Sequence, residues 1–225
     1  MKVLQYTFIT IVFAALASTA FAQLSIGARG GIHLANWSVN DALQEDIGDT
    51  EIRLSPLIGA VVEMRFNDNM AIQGELIFLQ KGFKKEVNLS DSIFGDASGR
   101  TDYIFNHIEV PVLFKFGSTA GPVRVDGLIG PGFSYALSGN RKERFTLNGE
   151  SETDTIEIDF EDDNFSRTDV SLHLGAVVTL KLGERANVFL DGRFLLGFTN
   201  LNATDSPQEA RSRGVSLSAG ALFPL

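Results

Sequence analysis

The chain has no cysteine, one tryptophan and only six prolines in 225 residues, and each shortage closes a route. Without cysteine there is neither a disulfide framework nor a lipid-anchored cysteine. A basic excess is missing too. Against 19 Lys and Arg stand 28 Asp and Glu, a net charge of -9, so the phosphate-neutralising stripe that nucleic acid requires is absent. The same balance argues against adsorption on an anionic membrane surface. After the first 22 residues no run of 18 apolar residues occurs, which excludes a spanning helix there.

What is present begins with an N-terminal address. Lys2 supplies a positive start, Val3 to Ala17 is nearly uncharged and apolar, and Ala20-Phe21-Ala22 fits a small-x-small cleavage site ahead of Gln23. Residues 1–22 are therefore expected to be a secretory signal. The competing reading, a retained membrane anchor, is weakened by an apolar core that is short for a bilayer span. Residues 23–225 then make one domain. With 22 Gly and 18 Phe, it suits a β protein with bends and aromatic packing.

Period-two alternation predicts eight strands, at about 24–35, 54–66, 70–84, 103–117, 122–138, 167–182, 187–199 and 213–225. The connections alternate in kind. Asn67–Asn69, Ser118–Gly121 and Gly183–Ala186 are tight turns, whereas 36–53, 85–102, 139–166 and 200–212 are long and polar. Such alternation marks a meander whose two ends face different surroundings. The expected fold is an all-β, eight-stranded antiparallel up-and-down transmembrane β-barrel, with short turns on one side of an outer membrane and long loops outside.

The segment HIEVPVLFKF at 107–116 shows the two faces of every strand. Ile108, Val110, Val112, Phe114 and Phe116 fall on one side, and His107, Glu109 and Lys115 on the other. Collected over all strands, the polar face carries Arg29, Arg65, Lys115, Arg124, Lys181 and Arg193 against Glu63, Glu75, Glu109, Asp126, Asp169 and Asp191. Six cations matched by six anions suit a closed interior, where buried charge must be paired. Glycine at 27, 31, 59, 130, 132 and 175 on the same face suits a narrow lumen filled by a few long side chains. The aromatics Phe66, Phe116, Tyr135, Phe198 and Phe223 sit near strand ends on the apolar face, as an interfacial girdle does. Alternation by itself leaves one alternative, a soluble lipocalin-like barrel in the periplasm with its apolar face around a ligand.

GARGGIHLANW in the first strand, IQGELIFLQKGFKK, YIFNHIEVPVLFKF and VDGLIGPGFSYALSG together resemble the PorT-like outer-membrane β-barrel proteins of Bacteroidetes-type bacteria. The resemblance spans the mature chain. It implies an eight-stranded outer-membrane barrel with a periplasmic N-terminus, contact with outer-membrane lipid and lipopolysaccharide, and insertion by the barrel assembly machinery. It brings no catalytic residues, and the namesake's part in protein secretion is not carried over. One departure is the C-terminus, where Pro224 and Leu225 follow Phe223 in place of a final aromatic.

Three constellations invite chemistry. Asp169, Ser171 and His173 lie in one inward row, from which a Ser/His/Asp set can be drawn, but lipid chemistry needs that row to face outward. A hydrogen-bonded interior network is the simpler account. His33, His107 and His173 share the inward face near the external end, yet they sit on the first, fourth and sixth strands, and no metal site is assigned. The acidic stretch ESETDTIEIDFEDDN at 150–164 lacks the Gly and terminal Glu of an EF-hand loop. Alternation from Thr155 to Phe160 predicts a charged extension of the hairpin beyond the membrane, with divalent bridging to lipopolysaccharide as the alternative. The reading is a non-enzymatic barrel without cofactor, serving a structural, adhesive or accessory role through its external loops.

Overall fold

The computed structural model describes residues 23–41, 50–89, 97–147, 150–202 and 208–225, apart from the side chains of residues 87–89 and 97. The expected signal at 1–22 lies outside the described residues. Nine strands follow in order: β1 (Gln23–Val39), β2 (Arg53–Arg65), β3 (Met70–Leu89), β4 (Ala97–Ala120), β5 (Val123–Leu147), β6 (Glu150–Glu157), β7 (Thr168–Leu182), β8 (Ala186–Gly197) and β9 (Ala210–Pro224).

Eight of them form a ring. Each strand from β1 to β4 pairs antiparallel with its successor, β5 pairs with β7, β7 with β8, β8 with β9, and β9 returns to β1. The closing register runs from Ser25↔Pro224 to Val39↔Ala210. Closure leaves the ring without an edge, so its backbone groups are satisfied internally, the condition for standing in hydrocarbon. Gly121 and Gly183, at φ +60° and +74°, supply the left-handed conformation that two of the tight turns require.

The ninth strand, β6, pairs only with the far half of β5, from Asn140↔Glu157 to Leu147↔Glu150. At 13 and 12 residues, β2 and β8 are little longer than the 9 to 11 or so needed to cross a bilayer at a tilt. β4 and β5 have 24 and 25. Their surplus length, with the end of β3 and all of β6, forms a four-stranded sheet that rises from one side of the ring. This corrects the expected loops at 85–102 and 139–166 in part: their described residues up to Glu157 are strand, 158–166 remains a connection, and the expected charged extension of the hairpin is present but ends at Glu157. Above the apolar band both sheet faces meet water, so alternation fades there while the hydrogen-bond ladder continues.

The faces divide as their periodicity requires. Outside, Ile58, Val112, Leu174 and Leu190 are half or more exposed, as are Phe116, Phe198 and Phe223, with Tyr135 close to that. Phe66 is only partly exposed. Inside, Glu109, Asp126, Asp169 and Asp191 are fully buried. An apolar wall around a charged interior is the reverse of a soluble cup for an apolar ligand, and it is stable only against hydrocarbon.

A cation near the middle of that wall should therefore be costly. Val112→Arg or Leu174→Arg should each lower the stability of the inserted barrel by about 2–4 kcal/mol. Asp162→Ala on an external loop should have no such effect. The check is the folded, heat-resistant fraction in lipid vesicles. Unchanged fractions for both arginine variants would contradict the assigned outer face.

Candidate functional site

The functional groups lie along the barrel axis in three charged layers, separated by aliphatic packing and covered at the long-loop end by aromatic rings. Inward-facing glycines make room for the long side chains. A Cβ at Gly132 would stand 2.5 Å from His173 Nε2, and one at Gly175 would stand 3.1 Å from Arg193 Cγ.

The layer nearest the tight turns gathers Glu63, Arg65, Lys115, Arg124 and Asp126. Lys115 Nζ meets Glu63 Oε2 at 2.5 Å and donates to Gln73 Oε1 at 3.0 Å. Arg65 Nη2 reaches Glu63 at 3.0 Å and Asp126 at 3.3 Å. Arg124 lies 3.7 Å from Asp126 of its own strand and donates to the Asp68 carbonyl at 2.5 Å. Val61, Leu113, Leu128, Val177, Phe189 and Leu222 pack as an apolar cluster inside the barrel.

In the middle layer two arginines and two acids form a closed set. Arg193 clasps Asp191 on its own strand, with Nε to Oδ1 at 2.7 Å and Nη2 to Oδ2 at 2.8 Å. The same guanidinium grips Glu75 across the lumen, Nη1 to Oε2 at 2.7 Å and Nη2 to Oε1 at 2.6 Å. Arg29 joins both acids, to Glu75 at 2.9 Å and Asp191 at 3.3 Å, and donates to Ser218 Oγ at 2.5 Å. Gln73 Nε2 also donates to Glu75. β3 and β8 are opposite strands of the ring, so this set braces its full width.

The upper layer centres on Lys81. Its ammonium lies 2.8 Å from Glu109, 2.9 Å from Asp169 and 3.0 Å from Ser134 Oγ. His173 Nε2 lies 2.8 Å from Glu109 Oε1 and 3.3 Å from Ser171 Oγ. The two contacts to Glu109 have ion-pair distance without hydrogen-bond angles. Ser212 donates to Asp169 Oδ2 at 2.5 Å. His33 Nδ1 bonds Ser216 at 2.9 Å, and His107 Nδ1 bonds the Phe105 carbonyl at 3.1 Å.

Above Lys81, Trp37, Phe83, Phe105, Ile158, Phe160 and Leu201 are buried together, with Tyr103 and Phe165 against them. Trp37 stacks on Phe105 at 5.4 Å between centroids, and Phe165 meets Phe105 edge-on at 5.2 Å. Arg167 lies 4.1 Å over the Phe160 ring. The two connections that carry Phe165 and Leu201 are tied by Ser166 N to the Leu201 carbonyl at 2.9 Å. Only about 10 Å³ of open space remains between this cap and Lys81 and His107, room for about one water.

Eleven of the twelve expected interior charges, Arg29, Glu63, Arg65, Glu75, Glu109, Lys115, Arg124, Asp126, Asp169, Asp191 and Arg193, lie in these layers. Lys181 does not. It has the inward parity but stands one residue before the end of β7 at the tight turn that begins at Gly183, where the lumen has ended, and is exposed. Its place among the cations is taken by Lys81, which the expected set omitted although Gln73, Glu75, Ile77 and Leu79 lead to it in steps of two. Six cations still face six anions.

The Ser/His/Asp reading is corrected by the same distances. Asp169 turns to Lys81 and Ser212, not to His173. Ser171 and Glu109 both address His173 Nε2, so no acid orients the opposite ring nitrogen as a proton relay requires. The three imidazoles share the upper layer, but each nitrogen found bonded serves a different partner. Among the described residues no group of three His, Asp or Glu side chains has metal-binding geometry. In the acidic loop, Asp159 Oδ1 accepts the backbone N–H groups of Glu161 at 2.9 Å and Asp162 at 3.3 Å, which hold its carboxyl below the usual aspartate range. Asp163 Oδ2 accepts from the Asp159 N–H at 3.0 Å. These carboxylates shape their own turn instead of converging on an ion.

The profile of the outer membrane protein beta-barrel domain family matches residues 18–202. Similar solved structures include Neisserial surface protein A, at 16% identity and TM-score 0.48, with 91% of this chain and 99% of that one covered. OprG of Pseudomonas aeruginosa is 12% identical, at TM-score 0.44 with 92% and 98% covered. Ail, the attachment invasion locus protein of Yersinia pestis, is 15% identical, at TM-score 0.37 with 91% and 97% covered. No curated protein matches the chain by sequence.

Removing one member of the middle layer should strand its partners. Arg193→Leu leaves Glu75 and Asp191 facing Arg29 alone and should cost about 3–5 kcal/mol. Lys181→Ala should stay within about 0.5 kcal/mol. Urea unfolding in bilayer vesicles distinguishes them, and equal midpoints would contradict the bracing role of the layer.

Proposed function

The chain belongs to the outer membrane protein beta-barrel domain family, and from that premise we propose a non-enzymatic barrel that carries an external sheet on a plugged, charge-paired wall. It is an outer-membrane protein. Its role in this reading is structural, adhesive or accessory, with protein contacts made outside the cell, and the likeness to PorT-like barrels is the narrower form of the same proposal. Residues 1–22 serve as the export signal, and the barrel assembly machinery inserts the rest.

One observation carries the reading: β3 to β6 continue well past the apolar band and end in β6, an exposed strand paired on one side only. A structure serving the lumen alone has no need of that length. The backbone groups on the free side of β6 are open to a partner, and Glu150, Glu152, Asp154 and Glu157 favour a basic one. The interior supports the same division of labour. Paired charges and the aromatic cap occupy the path that a pore or a buried catalytic site would need.

Two measurements test this. A peptide tag inserted between residues 148 and 149 should bind antibody on intact cells, whereas one at Gly183 should require permeabilisation. The reverse pattern would overturn the orientation. Purified protein in planar bilayers should show no steady porin-like conductance, and an open channel in the unaltered protein would overturn the plugged interior.

A further inference from the structure

The last strand of the projecting sheet alternates acid with hydroxyl. β6 reads ESETDTIE, which sets Glu150, Glu152 and Asp154 on one face and Ser151, Thr153 and Thr155 on the other. Cross-strand partners share a face, and the row Phe83, Tyr103, Arg141 and Ile156 joins the acids' face to the aromatic cap. That face also carries Lys85 and Glu143, the latter held by Arg141 at 2.8 Å. Lys142 and Arg144 stand on the opposite face, beside Thr155 and Thr153. From Gly139 to Arg167 nine acids face four cations, and none of these cations lies on β6.

The backbone of β6 has an open side as well. Ile158 N donates to the Gly139 carbonyl at 2.9 Å, and bonded and open pairs alternate along an antiparallel ladder. The N–H and C=O groups of Ser151, Thr153, Thr155 and Glu157 therefore point away from β5, to the side where, among the described residues, β6 has no strand partner. The Asp154 carboxylate accepts the Thr155 N–H at 2.8 Å, a local bond that an added strand can replace. One strand in, Phe145 is half exposed between two open hollows of about 470 and 500 Å³, both bordered by Glu152. It stands ten residues beyond Tyr135 of the lipid-facing wall, about 33 Å of strand. An exposed ring at that distance from hydrocarbon belongs to a contact surface.

We propose that β6 is the acceptor edge for an extended polypeptide segment with lysine or arginine at every second residue and small hydroxyl residues between them. The segment adds as a further strand along Ser151, Thr153 and Thr155. Its cations meet Glu150, Glu152 and Asp154, and their stems lie toward the hollows beside Phe145. This rests on the external-sheet reading of the function and adds to it the chemistry and phase of the partner. A neighbouring strand stands about 4.8 Å away, so a long basic side chain on it passes over Glu152 toward Phe145. The hydroxyl residues between meet the Ser/Thr row, as such cross-strand pairs do. Lys142 and Arg144 repel cations from that face, which sets the phase. Two other occupants fit worse. A second copy of this edge would set acid against acid, and the segments 42–49, 90–96 and 203–207 of the chain hold acids and no Lys or Arg.

The test uses the full mature chain in phosphatidylcholine nanodiscs and a fluorescein-labelled eight-residue peptide alternating Lys and Thr, with binding read by anisotropy. Three peptides serve as comparison: alternating Glu and Thr, four Lys followed by four Thr, and alternating Lys and Pro, which keeps charge and spacing but cannot pair as a strand. Each should bind about tenfold or more weakly than the Lys–Thr peptide. Glu152→Gln/Asp154→Asn should weaken the Lys–Thr peptide by about tenfold. Thr153→Pro removes one outward N–H without touching a bond to β5, and should weaken binding about tenfold more than Thr153→Ala does. Equal affinity for the Lys–Thr and Lys–Pro peptides, or for the two Thr153 variants, overturns strand addition. Undiminished binding by the double acid variant overturns the charge match, and no binding of the Lys–Thr peptide to the folded barrel overturns the whole proposal. The antibody test at residues 148 and 149 is independent of all these peptides, so failure of the external-sheet reading is distinguishable from failure of this one.

Discussion

Charge cannot stay unpaired in a closed, dry lumen, and most of this barrel's inner architecture follows from that constraint. An eight-stranded ring is just wide enough for its own side chains. Arginine and lysine can therefore reach carboxylates on distant strands, and here they do so in layers. Glu75 accepts from Arg193 on the opposite wall and from Arg29 two strands away. Lys81 joins β4 to β7 through Glu109 and Asp169. Fixed distances between strands thus become fixed distances between charges, and the ring is held to one cross-section.

The layers are not electrically alike. With neutral imidazoles, the lowest has one more cation than anion, the middle is balanced, and the upper has one more anion than cation. His173 sits against Glu109 in the upper layer. The cap of Trp37, Phe105 and Phe160 lies directly above and separates this layer from the loops.

Much of this was legible in the sequence, because alternation reports parity faithfully. The outer wall, the closed all-β fold and the inward face of all three histidines follow from it. Depth is harder to read. Lys181 and Lys81 have the same parity, but one stands at a turn and the other beneath an aromatic cap, and only pairing registers reveal the difference. Lys81 lies inside the expected strand at 70–84 with inward parity, but its polar neighbours Gln80, Lys84 and Lys85 give no sign that this end of the strand is covered. The cap was illegible for another reason. Phe160, Phe165 and Leu201 come from connections without periodicity, and their meeting depends on how two loops fold toward each other across the mouth.

The seam between β1 and β9 has a temporal side. It joins the first strand of the domain to the last, and the bridge from Arg29 to Asp191 spans 162 positions of chain. Neither can form until nearly the whole polypeptide has arrived, and contacts so remote in sequence are slow to make. Until then Glu75 and Asp191 lack part of their counter-charge and remain too costly to desolvate. Assembly of this barrel is consequently a late, concerted event, in which the sealing of the wall and the neutralisation of its contents are one step.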